Sequence, residues 1–380
     1  MKRILFVSPG FSYGGSTTAL ICILNSSIAQ DFDIDVFALV KADNNSPVLK
    51  SREIGLNEWT NAYYADYSAL ERKEKSRGFI LKALRQIPVL KKWVEKWVVR
   101  HTINKIERRN YDTIVAFQEK QATLFCQHFS VKDKIAWIHC DYAKTYPRTD
   151  ADLSVYEKYT KIVCVSNATL TSFLSYFPQM ADRATVIYNL FDSFSILQKA
   201  KDSVDDERFD KNSMSIISVG RLNRVKRFDL IPHIAKQVRE RVPGLKWYVI
   251  GQPYSDEEVK RLGSSIVEED VQDTVIYLGG KSNPYPYFKE ASLLVCVSES
   301  EACPMIFNEA KLLGLPIVTS DFPSAYEFIE QEDGEVTALD GVANAVIDML
   351  HRDAKHEGRK QFNGEALNAI ILDQLKQLLS

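Results

Sequence analysis

The chain has 380 residues, enough for two domains with full cores. An apolar share of 45% and a charged share of 26% are ordinary for a soluble globular protein. A net charge of −2 supplies no global field to recruit nucleic acid, and no run of eighteen apolar residues exists to span a membrane.

Lys2 to Ser8 reads as the first strand of a βα repeat, too short and wrongly built for a signal peptide. Pro9 to Gly15 is its exit loop, and a helix runs from Ser16-Thr17-Thr18 to about Ala29. The pair Gly14-Gly15 lets backbone approach a ligand closely before that helix, or else makes a tight turn; it is not a G-x-G-x-x-G fingerprint. Ile34 to Val40 is the second strand. Asp31, Asp33 and Asp35 flank it and alternate along it, and so read as solvated carboxylates, not metal ligands.

From Glu71 to Arg109 there are 13 Lys or Arg against 4 Glu, a local charge of +9 that leaves −11 for the remainder. Within it Val89-Leu90, Trp93-Val94 and Trp97-Val98 recur every four residues with basic residues between them. That is an amphipathic basic helix, which either packs its apolar stripe on a sheet or docks on an anionic bilayer through residues 82–109. Both hold together if the stripe is core and the Lys and Arg face lipid.

Strands resume at Thr113–Phe117 and Lys134–Ile138. The latter ends in His139-Cys140-Asp141-Tyr142, and an open α/β sheet places its ligand groups at such strand ends. Lys161–Ser166 and Ala184–Tyr188 complete this half, and Asn189 follows. Residues 196–213 are polar and aperiodic and read as a linker between a domain at 1–195 and a second at 214–365. Residues 366–380 form a C-terminal helix packing back on the first domain. The six cysteines show no metal spacing and read as reduced core residues of a cytoplasmic protein.

The second alternation opens with strand Met214–Val219, a basic loop holding Arg221 and Lys226, and a helix from about Arg227 to Arg241. Strands Leu245–Ile250 and Thr274–Leu278 follow. Ser292–Val297 is a buried strand feeding the acidic loop Ser298-Glu299-Ser300-Glu301. Pro304 stands as the first helical residue of a helix ending before Gly314, and Pro316 opens strand Ile317–Thr319. The start of that helix, at Pro304, Met305 and Ile306, aims free N–H groups at whatever lies above the sheet, which suits a phosphate. Glu301 and Glu309 bracket it and, at about 1.5 Å per residue, can grip opposite ends of one extended ligand.

Two βα-repeat halves with ligand groups at strand ends imply an α/β protein of two Rossmann-like domains facing a cleft. In the frame of strand end, Pro304, Ala310, Gly314 and Pro316-Ile317-Val318, the pair Glu301 and Glu309 resembles the Glu-x7-Glu motif of the retaining GT-B glycosyltransferases of family 4. The resemblance implies that Glu301 contacts the donor sugar, that Glu309 holds the ribose hydroxyls, and that Arg221 and Lys226 in VGRLNRVKRFDLI neutralise the diphosphate. It implies that His139 in WIHCDY contacts the transferred sugar and that Gly14-Gly15 lies near donor phosphate and acceptor. Asn189 matches the segment entering the hinge. This chain departs from the family with Ala302 and Arg227 where many members have glycine. The activity implied is hexosyl transfer from a UDP- or GDP-linked sugar to a glycan or lipid-linked acceptor in cell-surface polysaccharide biosynthesis, with no metal and no other cofactor. A GT-B phosphorylase or epimerase, or a non-catalytic scaffold, shares the fold.

Overall fold

The computed structural model describes residues 1–11, 14–39, 99–352 and 362–380. It divides into two compact units. One comprises residues 1–165, 169–190 and 371–380, and the other residues 166–168 and 191–370.

The first unit holds a six-stranded parallel sheet: β1 (Arg3–Ser8), β2 (Asp33–Ala38), β3 (Thr113–Ala116), β4 (Asp133–Ile138), β5 (Lys161–Cys164) and β6 (Ala184–Val186). Its order is β2-β1-β3-β4-β5-β6. β1, β3 and β4 are buried almost throughout, which is why they read as continuous apolar runs rather than alternating ones. Leu5, Val7, Ile114, Ala136, Ile138 and Ile162 share one core cluster. Because the chain steps from β1 outward to β2 and then back past it to β3, the switch point of this sheet lies between β1 and β3.

The second unit repeats the plan with β7 (Ser215–Val219), β8 (Lys246–Ile250), β9 (Val275–Gly279), β10 (Leu293–Cys296), β11 (Ile317–Ser320) and β12 (Gly334–Thr337) in the order β12-β11-β10-β7-β8-β9. All its pairings are parallel, and its switch point lies between β7 and β10.

Several elements differ from the sequence reading. The helix expected from Ser16 to about Ala29 stops at Asn25, because Ser26 is extended and its hydroxyl donates to the Ile23 carbonyl at 2.7 Å; a short turn, Ile28–Asp31, follows. The helix expected from Arg227 begins at Ile231, after Arg227 takes a left-handed conformation at φ 51°. Residues 196–213 are no linker. Asp192 accepts the Ser195 N–H at 2.9 Å and starts the helix Ser193–Lys199, while Asp206 pairs with Arg208 and Lys281. The second unit therefore begins at Phe191, ahead of the expected boundary at 214. The ionic anchors of this stretch carry no periodicity, so nothing in the sequence pattern marks it as packed.

The terminal residues 371–380 lie in the first unit, where Lys376 pairs with Asp31 at 2.8 Å and Lys161 donates to the Leu378 carbonyl at 2.6 Å. Of the basic stretch Glu71–Arg109, residues 71–98, with Trp93 and Trp97, lie outside the described residues. At its described end, 99–107 is helical; Ile103 and Ile106 are core, and Arg100, Lys105, Arg108 and Arg109 are exposed. The six cysteines, all within the described residues, form no disulfide.

Candidate active site

The second unit gathers its charged groups at the switch point. The loop leaving β7 turns on Asn223, whose side chain accepts the Lys226 N–H at 3.0 Å and closes the 3-10 turn Arg224–Lys226. Gly220, at φ 156°, lets the lysine stem fold back over the strand exit. A Cβ there would stand 3.2 Å from Lys226 Cε. The loop leaving β10 meets this turn backbone to backbone, the Glu299 N–H donating to the Val225 carbonyl at 2.8 Å.

Side chains join the same two loops. Lys226 Nζ is hydrogen-bonded and ion-paired to Glu301 Oε1, and Arg227 lies 3.4 Å from Glu299. Ser298 Oγ donates to Glu301 Oε1 at 2.7 Å, and Ser324 Oγ donates to the Glu301 carbonyl at 2.7 Å. Burial opposes the charge on Lys226, but the Glu301 carboxylate outweighs it and holds the lysine pKa above its ordinary value. Arg221, half-buried on the same loop as Lys226, makes no hydrogen bond or ion pair within the described residues. A free guanidinium and a paired ammonium on one loop present positive charge at the sheet end where an α/β fold takes its ligand.

Glu309 lies on the helix Met305–Leu312, which follows the β10 loop. Pro304 is the residue before this helix rather than its first, with Met305 opening it. Met305 packs with Phe191 and Ile196, which seats the helix start. Burial pushes the Glu309 carboxyl up to about 7, the Tyr285 hydroxyl 3.5 Å away acting weakly in the opposite sense. The carboxyl is thus poised to change charge near neutrality.

The other expected site residues belong to the first unit. Gly14 precedes the helix Gly15–Asn25 at the exit of β1 with an extended backbone, φ 164° and ψ 163°, and Gly15 opens that helix. His139 follows β4. Its ring lies 4.7 Å from Phe117 and stacks at 14° on Trp137, and its buried Nε2 has no hydrogen-bond partner among the described residues. Burial lowers its pKa to about 3, so the ring is neutral at every working pH. Asn189 is buried just before this part of the unit ends at Leu190. Asp33 pairs with Arg3 at 3.0 Å, and Asp35 accepts the Tyr111 hydroxyl.

Sequence reasoning missed the residues that hold these groups. Ser298 and Ser324 fix Glu301, and Glu119, after β3, accepts the His139 N–H at 2.8 Å. The sequence shows only that Glu119 is an acidic residue two positions beyond a strand expected to end at Phe117; its partner comes from the neighbouring strand.

Residues 200–366 match the family model for glycosyl transferases group 1. The match spans nearly the whole second unit and, with the glycosyltransferases among its similar proteins, makes the protein a transferase enzyme. Among similar proteins is an uncharacterized glycosyltransferase of Methanocaldococcus jannaschii, 26% identical over 43% of this chain and spanning 40% of that protein's length. The amylovoran biosynthesis glycosyltransferase AmsD of Erwinia amylovora is 22% identical over 88% of this chain and 86% of its own. The crystal structure of Anabaena HepE in complex with UDP-glucose superposes with a TM-score of 0.71 at 16% identity, covering 99% of this chain and 100% of that one. At that identity the likeness shows the fold, two parallel-sheet Rossmann-like domains of the GT-B kind.

Proposed function

We propose that the protein is a retaining glycosyltransferase of family 4 that moves a hexosyl unit from a nucleotide-diphosphate sugar to a glycan or lipid-linked acceptor in cell-surface polysaccharide biosynthesis. The observation that carries this is the pairing of Lys226 with Glu301 at the switch point of the second unit, with Arg221 on the same loop as Lys226. A diphosphate would take Lys226 and Arg221 as its cations, release Glu301 to the hydroxyls of the donor sugar, and leave Glu309 for the ribose. The complex of Anabaena HepE with UDP-glucose makes a uridine donor the first to try, ahead of a guanosine one.

In this scheme the acceptor oxygen attacks the anomeric carbon on the face from which the diphosphate departs. The C–O bond to phosphate breaks as the new C–O bond forms, and a leaving phosphate oxygen takes the acceptor proton. Arg221, Lys226 and the N–H groups at the start of the helix Met305–Leu312 meet the charge that develops on that oxygen. Those cations do the work that other folds give to a metal, so the proposal needs no cofactor.

Incubation with a panel of UDP-, GDP- and ADP-sugars and a cell-envelope lipid extract, read by mass spectrometry and by the anomeric configuration of the product, tests the function. One hexosyl mass added with the donor's configuration is expected; an inverted product, or none with any donor, overturns it.

The exposed Arg100, Lys105, Arg108 and Arg109 support a further part of the proposal, that the basic segment 82–109 rests on an anionic leaflet. Each basic residue near such a surface contributes on the order of 1 kcal/mol. The protein should float with anionic liposomes at low salt and sink as salt rises; sedimentation at low salt would contradict docking.

A further inference from the structure

Around the switch point of the first unit, three neighbouring strands end in chemistry-bearing residues: β1 in Gly14-Gly15, β3 in Glu119 and β4 in His139. Glu119 is 4% exposed, unusual for a carboxyl group that no Lys or Arg among the described residues pairs with. One oxygen, Oε2, accepts the His139 main-chain N–H at 2.8 Å. The groups facing it are the Cys140 thiol and the Tyr146 hydroxyl, with Tyr142 close by; the neighbouring cation, Lys120, is turned away to Asp152 at 2.7 Å. Lys120 itself is held at φ 60°, ψ −92°, a conformation a lysine does not choose, between Glu119 and the helix Gln121–Cys126. A desolvated carboxyl group next to strained backbone is costly to fold. Both become intelligible if the loop exists to place that carboxyl group where it is.

What it touches is the backbone of the histidine whose ring stacks on Trp137, meets Phe117 at a tilt, and carries an Nε2 with no hydrogen-bond partner among the described residues. We propose that Glu119 is the positioning residue for His139: by taking its main-chain N–H at the end of β4, it fixes the direction in which the imidazole presents Nε2. This rests on the reading that His139 faces the transferred sugar. A neutral ring with one aimed nitrogen can exchange a hydrogen bond with a sugar hydroxyl, and it needs no charge to do so. Glu119 acts through His139 and touches no substrate itself.

The test is the ring signal of His139 in protein labelled with 13Cε1-histidine, assigned by its loss in His139→Gln and followed from pH 5 to 8. In the wild type it should not titrate. Glu119→Gln keeps an oxygen for the N–H and should leave the signal in place. Glu119→Ala removes the oxygen and should move the signal or make it titrate. With a donor and acceptor in hand, Glu119→Ala should lower kcat by roughly 10²-fold at unchanged donor KM, as for a misplaced group near the reacting centre. It should add nothing in the His139→Gln background. If Glu119→Ala does not fold, Glu119→Asp carries the same expectation, because its shorter arm withdraws the acceptor.

A His139 signal identical in wild type and Glu119→Ala, or additive losses in the double variant, would overturn the assignment. Calorimetric titration of the wild type with UDP and GDP separates this from the underlying function. Absence of binding by both counts against the donor reading, whereas binding with an unmoved His139 signal counts against Glu119 alone.

Discussion

The two switch points hold their polar groups in opposite ways. In the second unit the groups are charges in pairs, Lys226 with Glu301 and Arg227 with Glu299, on two loops also tied by backbone. In the first unit the Glu119 carboxyl group and the His139 Nε2 are buried with no countercharge on them among the described residues, and desolvation drives each group towards its neutral form. The contrast is one of chemistry. A paired cation can change partners when an anion arrives, because its charge stays compensated throughout. A desolvated neutral ring cannot answer to charge, but it offers a fixed hydrogen-bonding atom to a hydroxyl. On the proposed function, the paired charges take the phosphate and the neutral ring meets the sugar.

The contrast breaks most readily at Lys226. Lys226→Ala, and separately Arg221→Ala, should lower transfer by roughly 10²-fold or more, the scale for losing one charge contact to the transition state. A wild-type rate in either variant would leave the charged half of the comparison without meaning.

A smaller effect sharpens it at Glu309, whose carboxyl is raised to about 7. The sign follows from the ligand: ribose hydroxyls donate to the ionised form, which dominates above that pKa. Nucleotide affinity should therefore rise about tenfold between pH 6 and pH 8, with each unit below the pKa removing a factor of ten of the competent form. Glu309→Gln should abolish the slope, and a slope that persists would assign it to another group. The smallest effect concerns His139, where burial has lowered the pKa to about 3. His139→Gln should scale the pH–rate profile from 6 to 8 without changing its shape. A change of shape would mean that the ring titrates after all.

Much of this was legible beforehand, for physical reasons that differ by region. Strands such as β1 and β4 are buried on both faces, so their apolar runs stood out with boundaries off by a residue or two. Lys226 and Glu301 were singled out through the resemblance of their two strand-end loops to a known family, and what the structure adds is that they pair with each other. The helix Ser193–Lys199 and the ion pairs of Asp206 were not, since capping and pairing across dozens of residues leave no period to read. Glu119 was missed because its role depends on β3 lying beside β4, a fact of strand order and not of the stretch around it. The left-handed Arg227 shows the same limit: its conformation comes from the turn before it, and nothing in a basic loop announces it.

The central claim is that the paired charges at the second switch point receive a nucleoside diphosphate. Calorimetric titration with UDP at pH 8, in buffer containing EDTA, tests it most directly, using wild type beside Glu309→Gln. The account predicts saturable binding of one UDP per chain in the wild type, weaker by one to a few kcal/mol in the variant, the usual range when a charged hydrogen-bond acceptor becomes neutral. Equal affinity in the two proteins, or binding that appears only when Mg²⁺ is restored, would contradict it.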